Sequence, residues 1–141
     1  MRHGVLAGLS VVALAGCGGG SDKQTTPDVP AAKQQIRAVA QAYLKAVSAR
    51  NYKAVCATRA SAEQAELAKT AGSCPKAFAL LLGRSPVVLF RGARPTAVRI
   101  NGNLAGVDVV PKGRKAKFIT LAAVREGSGW KLKDVPDQNV P

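Results

Sequence analysis

The chain has one histidine, His3, in 141 residues. His3 stands at the start of an apolar leader, so a chain that sheds the leader keeps no imidazole. It then has no imidazole base, no Ser-His or Cys-His nucleophile and no histidine metal ligand, which excludes most hydrolase mechanisms. Aromatic residues are scarce too, with one Trp, two Tyr and three Phe. That is too few for the stacking platforms that hold single-stranded nucleic acid. Acidic residues number 8 against 21 Lys and Arg, for a formal net charge of +13. The sequence has no Walker-type loop, no dinucleotide glycine fingerprint, no acidic calcium loop and no internal repeat, so no cofactor and no metal are expected.

What is present begins with "LAGCGGGSD" at residues 14–22. Arg2 supplies a positive start, and Val5 to Ala15 form an apolar stretch too short to span a bilayer. Leu14-Ala15-Gly16-Cys17 resembles the lipobox of bacterial lipoproteins. The resemblance implies that residues 1–16 are a signal peptide and that the Cys17 thiol takes a diacylglycerol. Cys17 then becomes the first residue of an exported chain held on the membrane. Paired acyl chains hold a protein there far more firmly than one does.

Two cysteines remain, Cys56 and Cys74. In an oxidising compartment they are expected to form a disulfide. The bridge closes a loop of about 19 residues and contributes on the order of 3 kcal/mol. Two thiols without a histidine make a poor zinc site. The positive charge suits anionic lipid headgroups or wall polymers, and the alternative is a merely soluble surface. Nucleic acid is not an expected partner of an exported chain.

Residues 17–30 have the composition of a tether, glycine first, then small polar residues and proline. From residue 31 to 49, Ile36, Val39, Ala40, Tyr43, Leu44 and Val47 mark one apolar stripe of a helix, with Asn51 as its stop. "NYKAVCATRA" predicts a short second helix. Ser61 and Gln64 fit a capping box opening a third helix that ends at Gly72. Ser73-Cys74-Pro75 opens a fourth, which is expected to bury Phe78, Leu81 and Leu82. Residues 86–92 are ambiguous between helical turn and strand. Beyond Pro95 the period becomes two. "TAVRIN" and "LAGVDVV" flank Asn101-Gly102-Asn103, then "AKFITLAAVRE" and "WKLKDV" flank a glycine turn. Helices followed by a meander of about four antiparallel strands predict an α+β fold over residues 31–135, with a tail at 136–141.

"YLKAVSARNYKAVC", "SCPKAF" and "GWKLKDV" together resemble the NTF2-like cone fold, in particular small exported lipoproteins of bacteria with high-GC genomes. That resemblance implies a conical pocket between the first helix and a curved sheet, and in some relatives pairing of two copies through the sheet. Enzymes of the superfamily use Asp, Tyr or His inside the cone; other members bind ligands or proteins without reaction.

Tyr43, Asp108 and Trp130 are the candidate pocket residues. Asp108 turned inward would be a proton-transfer base. The alternation of Val107 and Val109 instead puts it on the solvent side beside a basic neighbour. Tyr43 offers a hydroxyl or simply packs, and Trp130, Phe78, Phe90 and Phe118 are expected to seal the core. Lys112, Arg114, Lys115 and Lys117 crowd one hairpin, suited to anionic lipid or else to a solvated loop that deters edge pairing. Three functions are thus expected in order. The first is a lipid-anchored, non-catalytic domain binding an envelope protein or a small apolar ligand. A basic module on anionic lipid or wall polymer is second, and an isomerase- or dehydratase-like enzyme using Asp108 and Tyr43 third.

Overall fold

The computed structural model describes residues 29–83, 90–113 and 118–133. The leader, Cys17, the tether to residue 28, residues 86–89, Arg114, Lys115, Lys117 and the tail lie outside the described residues. Four helices come first, α1 (Val29–Ser48), α2 (Tyr52–Ala57), α3 (Ser61–Ala71) and α4 (Cys74–Leu82). Four strands follow, β1 (Arg94–Asn101), β2 (Leu104–Val110), β3 (Ile119–Glu126) and β4 (Gly129–Lys133), in one antiparallel sheet in chain order. The fold class is α+β.

The apolar stripe of α1 is buried as its spacing predicts, through Ile36, Ala40, Tyr43, Leu44 and Val47. The helix starts earlier than residue 31 because Pro30 fits the first turn, where its missing N–H has no intrahelical role. Asn51 does not stop it. Arg50 turns the chain in the left-handed region at φ 52°, and Asn51 caps α2 by accepting from the Ala54 N–H at 3.1 Å.

The capping box at Ser61 does not form. The N-cap of α3 is Ala60, with no side-chain cap, because the preceding residues are held extended against β4. The Ala60 N–H donates to the Leu132 carbonyl and the Leu132 N–H to the Thr58 carbonyl, each at 2.8 Å. Ser61 donates its N–H and its hydroxyl to the Glu126 carboxylate instead. Those bonds hold the Glu126 carboxyl below the usual carboxylate range at a helix end that favours negative charge. Gly72, at φ 81°, closes α3 in the left-handed conformation glycine adopts freely.

Ser73 caps α4, accepting from the Lys76 N–H, and Pro75 sits in its first turn. Cys74, Ala77 and Phe78 are buried. Leu81 is 60 % exposed, against expectation, because the last turn of α4 runs past the edge of the core and only Leu82 packs back on it. The Cys56–Cys74 disulfide ties α2 to the first turn of α4, with Cα atoms 6.0 Å apart.

Gly102 and Gly127, at φ 58° and 61°, open the two-residue turns of the β1–β2 and β3–β4 hairpins. Their second residues keep negative φ, the type II′ pattern that demands glycine first. Val98, Val107 and Leu121 share one row of the sheet; Ile100, Ala105, Ala123 and Leu132 share the next on the same face. That face packs on α1, and residues from both sides form one buried cluster that includes Trp130. Phe78 is buried and Phe90 packs on the cluster, but Phe118 is 61 % exposed because it precedes β3 and escapes its alternation. Among the described residues, both edges of the sheet are partly covered. Residues 58–60 add a short parallel pairing to β4 through Arg59 and Leu132. The β1 edge carries Pro95, a bulge between Pro95 and Val98, and a hydrogen bond from the Arg37 guanidinium to the Thr96 carbonyl.

Candidate functional site

Asp108 lies on the sheet face turned away from α1, with Val107 and Val109 on the core side. Its carboxylate is nonetheless shielded from water. Arg99 on the neighbouring strand grips it as a fork, Nη1 to Oδ2 at 2.7 Å and Nη2 to Oδ1 at 2.8 Å, and the Thr120 hydroxyl donates to Oδ1 at 2.9 Å. The Arg99 guanidinium, aided by Thr120 and opposed by burial, holds the Asp108 carboxyl below the usual carboxylate range. The same contact raises Arg99. A carboxylate that accepts three such bonds has little tendency to take a proton from a substrate.

A stability change with pH follows. The folded pKa of Asp108 lies below its unfolded value of about 3.9, so its contribution is present above that value and fades as pH falls through the folded pKa. At pH 7 Asp108→Asn is expected to cost about 1.5–3 kcal/mol. The variant should also lose less stability than the parent chain between pH 5 and pH 3, read from urea midpoints. Parallel loss in both proteins would contradict the ion pair.

Tyr43 is buried on the opposite side of the sheet, on the inward face of α1. It meets a residue that no local pattern marks as buried. Arg59, only 3 % exposed, places its guanidinium carbon 5.8 Å from the Tyr43 ring centre and 5.6 Å from that of Phe78. Its Nε lies 2.7 Å from Glu63 Oε2 one helical turn on, and its carbonyl accepts from Gln64 Nε2 at 2.9 Å. Pairing with Leu132 on β4 drives Arg59 inward. The aromatic faces and the Glu63 carboxylate then offset the loss of water around the cation. Trp130 enters the same core, so Tyr43 and Trp130 are brought together in one cluster and Asp108 is not.

The space between α1 and the sheet, where the cone resemblance implies a pocket, is occupied by core side chains such as Ile36, Ala40 and Val107. An open groove lies elsewhere, between α3 and the outer side of the sheet. Its volume is about 590 Å³. Ala60, Ala62, Leu67 and Val124 give it apolar walls, and Glu66, Thr70 and Lys133 supply polar atoms. It exists because α3 buries no residue fully and is held by Ser61 on Glu126 at its start, by packing on α4 and by Leu67 against the core. Glu63 borders the groove while pairing inward with Arg59, so groove and core are coupled through one side chain.

Lys112 is exposed at the end of the β2 segment, its side chain close over Gly92. Among the described residues no cluster of three metal-type ligands forms, and no described helix is long and apolar enough to cross a membrane. Comparison with models of known protein families, with curated proteins and with solved structures finds no match.

Proposed function

We propose that this chain is an exported lipoprotein, anchored through Cys17, whose α+β domain binds a small apolar molecule without transforming it. The observation that carries the reading is the groove beneath α3, whose apolar walls and volume of about 590 Å³ suit a ligand of that kind. The lipobox-like Leu14 to Cys17 supports the anchor, and the helices-then-meander order agrees with an NTF2-like module. Relative to the conical site of that superfamily, the ligand here would sit on the outer side of the sheet. The enzyme reading loses support because Tyr43 and Asp108 lie on opposite faces and Asp108 is saturated by Arg99 and Thr120.

One preparation tests both parts. Chain taken from its own cell membranes is expected to lack residues 1–16 and to carry a diacylglycerol on Cys17 by intact mass. N-phenylnaphthylamine should bind it saturably, and Ala62→Trp, at an exposed position, should weaken that binding about tenfold or more by filling the groove. An unacylated chain that keeps Met1 overturns the anchor; probe affinity indifferent to Ala62→Trp overturns the groove.

A further inference from the structure

A second surface, independent of the groove, lies at the end of the molecule where α1 and α4 finish, β1 and β3 begin and β2 ends. The Arg50 guanidinium donates to the Gly83 carbonyl at 3.2 Å, which brings the ends of α1 and α4 together. The turn before β1 closes on the last turns of α1, where Leu44, Lys45, Ser48, Phe90 and Ala93 border a depression of about 490 Å³. Lys112, following β2, packs over Gly92 of that turn. Register places Val109 opposite Ile119, so β3 starts here too.

Two kinds of side chain collect at this end. Five exposed large apolar residues are described, and four of them are here: Leu80 (75 % exposed), Leu81, Phe118 and Ile119. Around them stand the exposed cations Lys45, Arg50, Arg91, Arg94 and Lys112. From Lys76 to Val107 the sequence has no Asp or Glu, and α1 has none. Asp108 on β2 is already gripped by Arg99, and Glu63 pairs inward with Arg59. Glu63 and Glu66 lie on α3, and Glu126 sits at the opposite hairpin. Cations around protruding apolar side chains, with no free anion among them, match the boundary of an anionic bilayer, where headgroups meet acyl chains.

We infer that this end docks the domain onto anionic lipid, with Leu80, Leu81 and Phe118 dipping into the interface. The length of the chain allows it. α1 is about 30 Å long, and the 12 residue steps from Cys17 to Val29 reach about 40 Å at full extension. A domain standing on the far end of α1 is therefore still within reach of its proposed anchor.

The test reads orientation, because the N-terminal segment is expected to keep the full chain on vesicles in any case. Single tryptophans are introduced as Leu81→Trp, Phe118→Trp or Ser128→Trp, the last at the opposite hairpin, with buried Trp130 as constant background. Vesicles contain brominated phosphatidylglycerol. Quenching is expected to be severalfold stronger at positions 81 and 118 than at 128, and to fade in high salt. Changing Lys45, Arg91, Arg94 and Lys112 together to Gln, with the circular dichroism spectrum unchanged, should shift the docked equilibrium by about a hundredfold or more. Equal quenching at all three positions, or none at 81 and 118, overturns the inference and leaves the exposed leucines to a protein partner. Ala62→Trp should leave the quenching pattern as it is, which separates this surface from the groove.

Discussion

Glu63→Ala is expected to destabilise the fold by about 3–5 kcal/mol, the cost of removing one partner from a buried ion pair. Arg59 cannot follow the change by moving to water. Its backbone is fixed by the pairing of residues 58–60 with Leu132 and by the Gln64 side chain on its carbonyl. Its guanidinium lies among Tyr43, Phe78 and the core of α1 and β4. Without Glu63 the cation keeps its aromatic contacts and loses the counter-charge 2.7 Å from Nε. Arg59→Met gives the control, since it removes the charge and retains an unbranched apolar stem. It should cost much less than Glu63→Ala, and the double variant should recover most of what Glu63→Ala loses. Urea midpoints of the four proteins decide the matter. If Glu63→Ala alone costs under about 1 kcal/mol, the pair is not what stabilises a buried Arg59.

Replacing Cys56 and Cys74 together by Ala is expected to lower stability by about 3 kcal/mol, from the regained entropy of the open loop. For a domain of this size that corresponds to a melting temperature lower by more than about 10 °C. The consequence is uneven through the structure. The core cluster draws most of its buried residues from α1 and the sheet, with Cys56 and Cys74 among the rest, whereas α3 buries no residue fully and packs on α4. Breaking the link between α2 and α4 frees the helix that walls the groove. Dithiothreitol should therefore abolish N-phenylnaphthylamine binding at temperatures where far-ultraviolet circular dichroism is still native. Loss of both signals together would mean that the bridge holds the whole fold and not this corner of it.

The parts of this architecture legible in the sequence are those set by local pattern. The stripe from Ile36 to Val47 repeats at helical spacing, Gly102 and Gly127 stand where a tight hairpin requires positive φ, and Ser73 with Pro75 marks a helix start. Asp108 follows from alternation, and its basic neighbour is Arg99. Arg59 was not legible, because its burial depends on a bridge to Leu132 formed far along the chain. Its one local trace is the four-residue step to Glu63 in a chain poor in acids. Leu81 and Phe118 read as core on hydrophobicity alone, and what excludes them is the point at which α4 outruns the core and β3 begins. The groove has only an indirect trace, the lack of a strong apolar stripe on α3.

The short pairing of residues 58–60 along β4, and the bulged, arginine-guarded margin of β1, matter wherever copies of the chain are crowded together. The anchor proposed at Cys17 would confine molecules to a thin layer, where neighbours meet far more often than in free solution. An open strand in that layer would act as a template on which neighbours could zip into fibres. With each rim of the described sheet partly covered, a crowded neighbour finds fewer open backbone groups on which to pair.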